Sequence, residues 1–269
     1  MSDATILLGA VAHDPKVLPY WEAMREHLKA NGVGIDFVLY GSYERQVEAL
    51  LGGHIDLAWN GPLAHVRVKR RAEGRLVLIA QRDVDREFTT KILVRRDAGI
   101  GALSELHGKT FAVGSKDSAQ ARILPLFFLK RAGVDVAKMT LLPFESDAGK
   151  HGDPPQSELD ILAAVQDGRA HAGVVGGQVF ATELAAGRVD PHRVETLWTT
   201  PSYDHHVLEA LPSFPEAKAS ALQRVLLDLR WNNPKHRRLL EVEGARQWIA
   251  AREDGHMHLE AALDDQRGW

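Results

Sequence analysis

Two polar segments of the sequence concentrate side chains that can transfer protons or bind metal ions. The first is the loop at 147–158, and the second is the short stretch at 202–206. Together they contain Lys150, His151, Asp153, Glu158, Tyr203, Asp204, His205 and His206. Histidines and carboxylates are the common general acids and bases of enzymes, and they also bind transition metals. The candidate catalytic residues are therefore His151, Asp153, Glu158 and Asp204.

The spacing of these residues does not match a specific metal-binding motif. Neither His151-Gly-Asp153 nor Asp204-His-His206 has the separations typical of zinc signatures. If 202–206 forms an extended strand, His205 and His206 point to opposite faces, so that only one of them reaches a common site. We predict hydrogen-bonding roles for these residues, with no bound metal and no cofactor.

The composition is that of an ordinary globular protein. Of the 269 residues, 45% are hydrophobic and 26% are charged, and the formal net charge is −3. The short basic run Lys69–Arg71 fits a solvent-exposed helix face, so we expect no nucleic-acid partner. The absence of cysteine from the sequence excludes disulfides, thiolate nucleophiles and cysteine-ligated metal sites.

The sequence also bears on the expected location of the protein. No apolar run approaches the roughly 18 residues that predict a membrane span, so we expect no membrane insertion. Met1–Ala4 leads directly into the apolar Ile6–Leu8, without the basic and hydrophobic regions of an export signal. The sequence as written therefore predicts a cytoplasmic protein, and a periplasmic one if it is a processed or trimmed form.

Strands alternate with helices from the first residues onward. The hydrophobic pattern predicts strands at 5–11, 35–40, 55–59, 76–80 and 90–94, and helices at 17–30, 43–51 and about 62–72. This alternation indicates an α/β lobe with a largely parallel sheet.

The pattern restarts after residue 97 and predicts a second βαβ lobe. Its strands are expected at 110–113, 140–144, 171–175 and 195–200, and its helices at 104–106, 118–131 and 158–166. From Phe214 to about Arg252 the pattern is helical, with Pro234 interrupting it. The length of the chain fits one large domain or two lobes of about 100 to 150 residues each.

Three predicted helix starts are equipped to bind an anion. They are Ser42-Tyr43, Asn60-Gly61-Pro62 and the turn at 114–118. The first N–H groups of a helix lack partners within the helix and carry partial positive charge, which suits a carboxylate, phosphate or phosphonate. Each start is equally consistent with an ordinary helix cap.

Four sequence segments resemble the phosphonate-type (PhnD-like) substrate-binding proteins. They are 9–15 (GAVAHDP), 43–50 (YERQVEAL), 53–62 (GHIDLAWNGP) and 108–115 (GKTFAVGS), and the likeness extends over about 6–208. The resemblance implies an α/β, two-lobed type II periplasmic-binding-protein fold with two crossover strands, near 90–95 and 197–207. It places the ligand in a cleft between a discontinuous lobe 1, residues 1–94 plus 201–269, and lobe 2, residues 95–200.

The resemblance also implies positions for the ligand contacts. The family's cleft tyrosine matches Tyr43, its helix start after the third strand matches 59–61, and its acidic residue on the return crossing matches Asp204. Its phosphonate-gripping Ser-Thr-Ser turn corresponds here to Ser118-Ala-Gln120, and an aromatic hydroxyl is lost at Phe88. Because buried oxygens without partners cost about 1–3 kcal/mol each, these losses predict an anion or zwitterion other than a phosphonate.

The leading functional prediction is a binding protein that closes around a small anionic or zwitterionic solute by hinge motion. It would serve an ABC permease if exported. The predicted ligand-binding residues are Tyr43, Trp59, Asn60, Gly61, Ser118, Gln120, His151, Glu158, Tyr203, Asp204 and His205.

The alternative is a cytoplasmic enzyme on the same fold, because fold alone does not determine function. The resemblance allows a cofactor-independent lyase, such as a dehydratase or decarboxylase of a small carboxylate. A third possibility is a cytosolic ligand sensor that binds a partner when closed.

Overall fold

The structure is a computed structural model that describes residues 5–12, 17–145, 156–242 and 244–266. The chain divides into two compact units. Unit 1 comprises Met1–Glu87 and Asp204–His256, and unit 2 comprises Phe88–Tyr203 and Met257–Trp269. The lobe boundaries expected from the sequence, 1–94 plus 201–269 and 95–200, stay a prediction. Among the described residues, no helix combines the length and apolar character that crossing a bilayer requires.

The secondary structure alternates along most of the chain. The strands in the described residues are β1 (Ile6–Val11), β2 (Ile35–Tyr40), β3 (Leu57–Asn60), β4 (Val77–Arg82), β5 (Thr90–Arg95), β6 (Thr110–Val113), β7 (Thr140–Pro143), β8 (Ala172–Gly176), β9 (Val194–Thr199), β10 (Val207–Ala210) and β11 (Trp248–Ala250). The α-helices there are α1 (Leu18–Ala30), α2 (Tyr43–Leu51), α3 (Pro62–Arg71), α4 (Leu124–Arg131), α5 (Gln156–Gln166), α6 (Gly177–Ala185), α7 (Glu216–Leu227), α8 (Pro234–Glu241) and α9 (Met257–Gln266).

Unit 1 is built on a six-stranded sheet in the order β11-β4-β10-β3-β1-β2. Alternate residues of its strands face two separate hydrophobic clusters, as the two-residue period of a strand requires. Leu8 and Leu57 pack in a cluster that also contains Leu28 of α1 and Leu222 of α7. Ala58 packs instead in a cluster formed with α2 and α3.

Unit 2 has a five-stranded sheet in the order β7-β6-β8-β5-β9. Phe111 and Val174 pack with Leu129 of α4 in one cluster. Ala112 and Val175 pack in another cluster with residues of α5. Both sheets therefore have an apolar core on each face, which explains why their central strands are almost continuously hydrophobic.

The C-terminal helix α9 belongs to unit 2. The ammonium group of Lys130 on α4 lies 2.8 and 2.9 Å from the carboxylate oxygens of Asp265. The ring of His258 packs edge-on against Phe128, with 5.1 Å between centroids. The C-terminal helix therefore packs on α4, a contact that the sequence did not predict.

The expectation of a largely parallel sheet, made for the first lobe, is wrong, because the sheets of both units are mixed. In unit 1, β1 pairs in parallel with β2 and β3, but β10 is antiparallel to both β3 and β4. In unit 2, β5 is antiparallel to β8 and β9. Strands β5 and β10, which follow the points where the chain passes from one unit to the other, are antiparallel to their neighbours. Hydrophobic periodicity carries no information about strand direction.

The predicted helix to about Arg252 is also wrong at its end. Residues 248–250 form β11, which pairs antiparallel with β4 at the edge of the sheet, and Trp248 is buried in the core of unit 1. A short apolar run does not distinguish a strand from a buried helical turn, and its tertiary partner decides the outcome. Helix α6 had not been predicted.

Close packing of α5 on β8 places the first turn of α5 beside the end of that strand. A Cβ atom on Gly173 would lie 2.7 Å from Ile161 Cγ2 and 2.9 Å from Val165 Cγ2. The helix can approach the sheet this closely only because residue 173 has no side chain.

We expect Gly173→Ala to destabilise the protein by about 1–3 kcal/mol, because α5 must move away from the strand. Urea denaturation followed by circular dichroism measures the change. Gly101→Ala is the matched control, since its new methyl group would lie 3.8 Å from an oxygen of Glu105, an ordinary contact distance. Equal stability of the two variants would contradict this account of the packing.

Candidate functional site

Unit 1 brings an aromatic hydroxyl and an imidazole together at the start of α2. Ser42 is the N-cap of this helix, and its hydroxyl accepts a hydrogen bond from the Arg45 N–H. Tyr43 follows, and its hydroxyl lies 2.8 Å from His206 Nε2. The indole of Trp59 stacks on the same imidazole, with a centroid distance of 5.2 Å and an interplanar angle of 16°. Two predicted site residues, Tyr43 and Trp59, thus contact one histidine.

The imidazole of His206 also contacts that of His205. Their Nδ1 atoms are 2.7 Å apart, so the Nδ1–H of one ring donates a hydrogen bond to the Nδ1 of the other. The expectation that these side chains point to opposite faces is wrong, because residues 204–206 precede β10 and are not part of a strand. Burial, followed by the neighbouring His205, lowers the pKa of His206 to about 4.

A buried carboxylate lies beside the two histidines. Asp85 is 2% exposed, and each of its oxygens accepts a hydrogen bond from Arg82, at 2.5 Å from Nε and 2.8 Å from Nη2. Burial alone would raise the pKa of Asp85, but the charge and hydrogen bonds of Arg82 outweigh it and hold that pKa well below its usual range. We call Tyr43, Trp59, Asp85, His205 and His206 the histidine cluster.

Asp204 is fully engaged by partners within unit 1. Arg252 binds it in a bidentate pair at 2.7 and 2.8 Å, while the Glu87 N–H and the Gln81 amide donate to it at 3.1 and 3.2 Å. Burial acts to raise the pKa of Asp204, but Arg252 and the other donors lower it overall. A carboxylate has about four acceptor sites, and the partners named here supply four donors.

Asn60 has a comparable structural environment. It is fully buried, and its amide group donates to Glu209 at 2.7 Å and accepts from Gln46 at 2.8 Å. His65 Nδ1 lies 2.5 Å from the other oxygen of Glu209. The N-cap of α3 is Gly61 rather than Asn60, and Gly61 lies against Tyr43, whose hydroxyl would be 3.4 Å from a Cβ atom there.

Unit 2 contains the third predicted helix start. Ser118 is the N-cap of a π-helical turn at 119–123 that leads into α4, and its hydroxyl accepts from the Ala121 N–H at 3.1 Å. Such turns occur often at functional sites. The Ala121 carbonyl accepts from the N–H of Gly114, and a Cβ on Gly114 would lie 2.7 Å from Ala121 Cβ. The glycine therefore permits the tight return of the chain at this helix start.

Glu158 and Gln120 meet near this turn. Glu158, in the first turn of α5, is 2% exposed and accepts from the Gln120 amide at 3.2 Å and from the backbone N–H of Gly176. Two N–H donors compensate this buried carboxylate, which would otherwise be costly. The ring of Phe88 packs against Gly176, where a Cβ atom would lie 2.9 Å from it.

Tyr203 completes this group in unit 2. Its hydroxyl lies 2.6 Å from that of Thr90, and Thr90 donates its own proton to the Gln120 carbonyl at 3.0 Å. Tyr203 must therefore be the donor to Thr90. The predicted residues Ser118, Gln120, Glu158 and Tyr203 thus belong to one hydrogen-bonded region of unit 2.

Several predictions fall elsewhere. Lys150, His151 and Asp153 lie outside the described residues. Sequence reasoning missed Asp85 and Arg82, although their separation of three residues in Arg-Asp-Val-Asp fits a local ion pair. His206 was named in a polar segment but left out of the predicted ligand contacts, because an extended strand was assumed.

Comparisons with known proteins agree with the architecture. Residues 12–255 match the family model described as "ABC transporter, phosphonate, periplasmic substrate-binding protein". The probable ABC transporter phosphite binding protein PhnD1 of Prochlorococcus marinus (strain MIT 9301) is 26% identical over 246 residues, which cover 88% of this chain and 80% of that protein.

Solved structures give the same result for the fold. PhnD1 from Prochlorococcus marinus in complex with methylphosphonate matches with a TM-score of 0.73 and 24% identity, covering 98% of each chain. XAC2383 from Xanthomonas citri, bound to ATP, has a TM-score of 0.73 and 19% identity, with 99% of each chain covered. The aliphatic sulphonate binding protein SsuA from Escherichia coli has a TM-score of 0.59 and 18% identity, covering 98% of this chain and 84% of that one. These similarities confirm the predicted type II periplasmic-binding-protein fold.

The buried ring of His256 gives the stability of unit 1 a defined pH dependence. Burial, and then the adjacent His65, lowers its pKa from 6.5 to about 3. Between these values the unfolded chain binds a proton that the folded chain does not, so stability falls as the pH falls through this window. One such group contributes a slope of about 1.4 kcal/mol per pH unit.

We expect His256→Gln to reduce that slope between pH 6.5 and pH 4, because glutamine does not titrate. Free energies of unfolding from urea titrations across this range measure the effect. His192→Gln, which changes an exposed histidine, is the control and should leave the slope unchanged. An unaltered slope in the His256 variant would show that this ring does not carry the dependence.

Proposed function

Because this chain belongs to the phosphonate-type periplasmic substrate-binding proteins of ABC transporters, we propose that it binds a small phosphorus oxyanion, such as phosphite or methylphosphonate. The observation that carries the proposal is the family match over 12–255. The relative named as a phosphite binding protein and the fold shared with a methylphosphonate complex support this ligand class.

The helix start in unit 2 is one proposed contact. Ser118 and the N–H groups that follow it can donate to an oxyanion without a cationic side chain. The next two positions, Ala119 and Gln120, lack hydroxyls. Gln120 donates its amide to Glu158, so this contact depends mainly on backbone donors and Ser118.

The Tyr43 hydroxyl in unit 1 is the second proposed contact. When His206 carries its proton on Nε2, it donates to the tyrosine oxygen and the phenol proton can be donated to an oxyanion. The stacked Trp59 fixes the imidazole plane and therefore the direction of this hydrogen bond.

The surroundings of Asp204 favour a ligand without an amino group. A carboxylate that recognises an ammonium group needs an available lone pair, and Arg252 and two further donors engage the oxygens of Asp204. We therefore propose a simple oxyanion rather than a zwitterion. The sequence alone predicted an anion or zwitterion other than a phosphonate, and the titrations below decide between that prediction and this proposal.

The remaining functional proposals follow from the family. A permease and an ATPase are the proposed partners, and the predicted closure of the lobes around the ligand stays a prediction. The expectation of a cytoplasmic protein is not supported, whereas a periplasmic location is consistent with the family description. The comparisons do not support the lyase alternative, since the relatives are substrate-binding proteins. We propose that this protein is also not an enzyme.

Isothermal titration calorimetry with phosphite and methylphosphonate tests the ligand class, with acetate, glycine and methanesulfonate as comparison ligands. We expect Tyr43→Phe and Ser118→Ala each to weaken phosphorus-oxyanion binding by about 10- to 100-fold, the range for losing a hydrogen bond to a charged group. Tyr40→Phe and the exposed Ser104→Ala are the matched controls in the same units and should retain wild-type affinity.

The comparison ligands decide between the predictions. Tighter binding of acetate, glycine or methanesulfonate than of phosphite and methylphosphonate would overturn the proposed ligand class. Wild-type affinity in both Tyr43→Phe and Ser118→Ala, with thermal unfolding unchanged, would exclude these residues from the site.

A further inference from the structure

Asp85, His205 and His206 have a second property besides their hydrogen bonds. Each offers one metal-ligating atom, and these three atoms all lie within 4.8 Å of one another. The two Nδ1 atoms are 2.7 Å apart, and each lies 3.6 Å from Asp85 Oδ1. Two imidazole nitrogens and one carboxylate oxygen therefore form one compact triangle in unit 1.

These distances are close to those of a face of a coordination tetrahedron. Ligands about 2.0–2.1 Å from a tetrahedral zinc ion are separated from one another by about 3.3 Å. The observed triangle is narrower between the histidines and wider towards the carboxylate.

The backbone around the three residues is fixed by its own hydrogen bonds. The His205 N–H donates to the Asp85 carbonyl at 2.7 Å, and the His206 N–H donates to the Asp85 carboxylate at 3.2 Å. His256 Nε2 lies 2.8 Å from the His205 carbonyl, and Trp59 stacks on His206. A site held in this way loses little conformational entropy when it binds an ion.

We propose that Asp85, His205 and His206 bind a divalent transition-metal ion through both Nδ1 atoms and one carboxylate oxygen. Imidazole nitrogen with carboxylate oxygen suits zinc, cobalt and nickel better than magnesium or calcium, which prefer oxygen ligands alone. Three protein ligands leave a position for water, as in open zinc sites.

Arg82 limits the affinity of this site. Its guanidinium group is hydrogen-bonded to both oxygens of Asp85, so the carboxylate charge is shared and the entering ion is repelled by a nearby cation. Removing that cation should therefore tighten metal binding. Adventitious binding to surface histidines would not respond in this way.

The experiment is a titration of untagged, chelator-treated protein with Co²⁺, followed by its visible absorption, without any added anion. We expect one Co²⁺ per chain with the intense bands of a four-coordinate ion. Losing a hydrogen-bond partner of a metal ligand typically weakens metal binding by about 10- to 100-fold. His205→Ala and Asp85→Asn each remove a ligand itself and should weaken Co²⁺ binding by more than that. Arg82→Gln should strengthen it. Circular dichroism checks that each variant is folded.

His236→Ala is the matched control. His236 packs edge-on against His27, with 5.1 Å between ring centroids. The substitution therefore removes one member of another histidine pair in unit 1. Wild-type binding in this control is expected. The proposal is overturned if Co²⁺ does not bind, if folded His205→Ala and Asp85→Asn bind it like the wild type, or if Arg82→Gln binds it no more tightly. Because no oxyanion is present, these outcomes do not depend on the proposed transport ligand.

Discussion

The buried ion pair between Arg82 and Asp85 is the interaction on which the histidine cluster depends. A carboxylate at 2% exposure would be neutralised or expelled without a partner, and the guanidinium of Arg82 keeps it charged. Asp85 in turn accepts the N–H of His206, while its carbonyl accepts that of His205. Removing one partner of such a pair costs about 3–5 kcal/mol, because the other charge remains buried. The charge on the carboxylate that lies beside both imidazoles therefore follows from this one electrostatic contact.

A second buried charge organises the neighbouring part of unit 1. Glu209 lies in β10 at 0% exposure, and its carboxylate is hydrogen-bonded to the side chains of Asn60 and His65. The ring of His65 packs on that of His256, with centroids 4.2 Å apart, and His256 contacts the His205 carbonyl. Hydrogen bonds and one ring contact thus link the centre of the sheet to the histidine cluster.

The sequence predicted the elements well where a local signal exists. Ser42 as N-cap, the helix from Tyr43 to Leu51 and the helix start at Ser118 are confirmed, because caps and hydrophobic periodicity are properties of neighbouring residues. Strand direction, the edge strand at Trp248 and the approach of Asp85 to the histidines depend on segments that are far apart in the sequence. Resemblance to a family supplied the overall fold, but it could not show that Asp204 is engaged by Arg252, a partner 48 residues away.

The balance of charges explains how unit 1 can contribute to binding an anion without a surplus cation at its cluster. Arg82 is paired with Asp85 and Arg252 with Asp204, so neither guanidinium adds net positive charge there. In the proposed site, the attraction for an oxyanion comes from uncharged donors, the Tyr43 hydroxyl among them, and from helix N-termini. Directional donors discriminate oxygen arrangements rather than charge alone. Selectivity for a tetrahedral oxyanion is therefore compatible with a region whose own charges cancel.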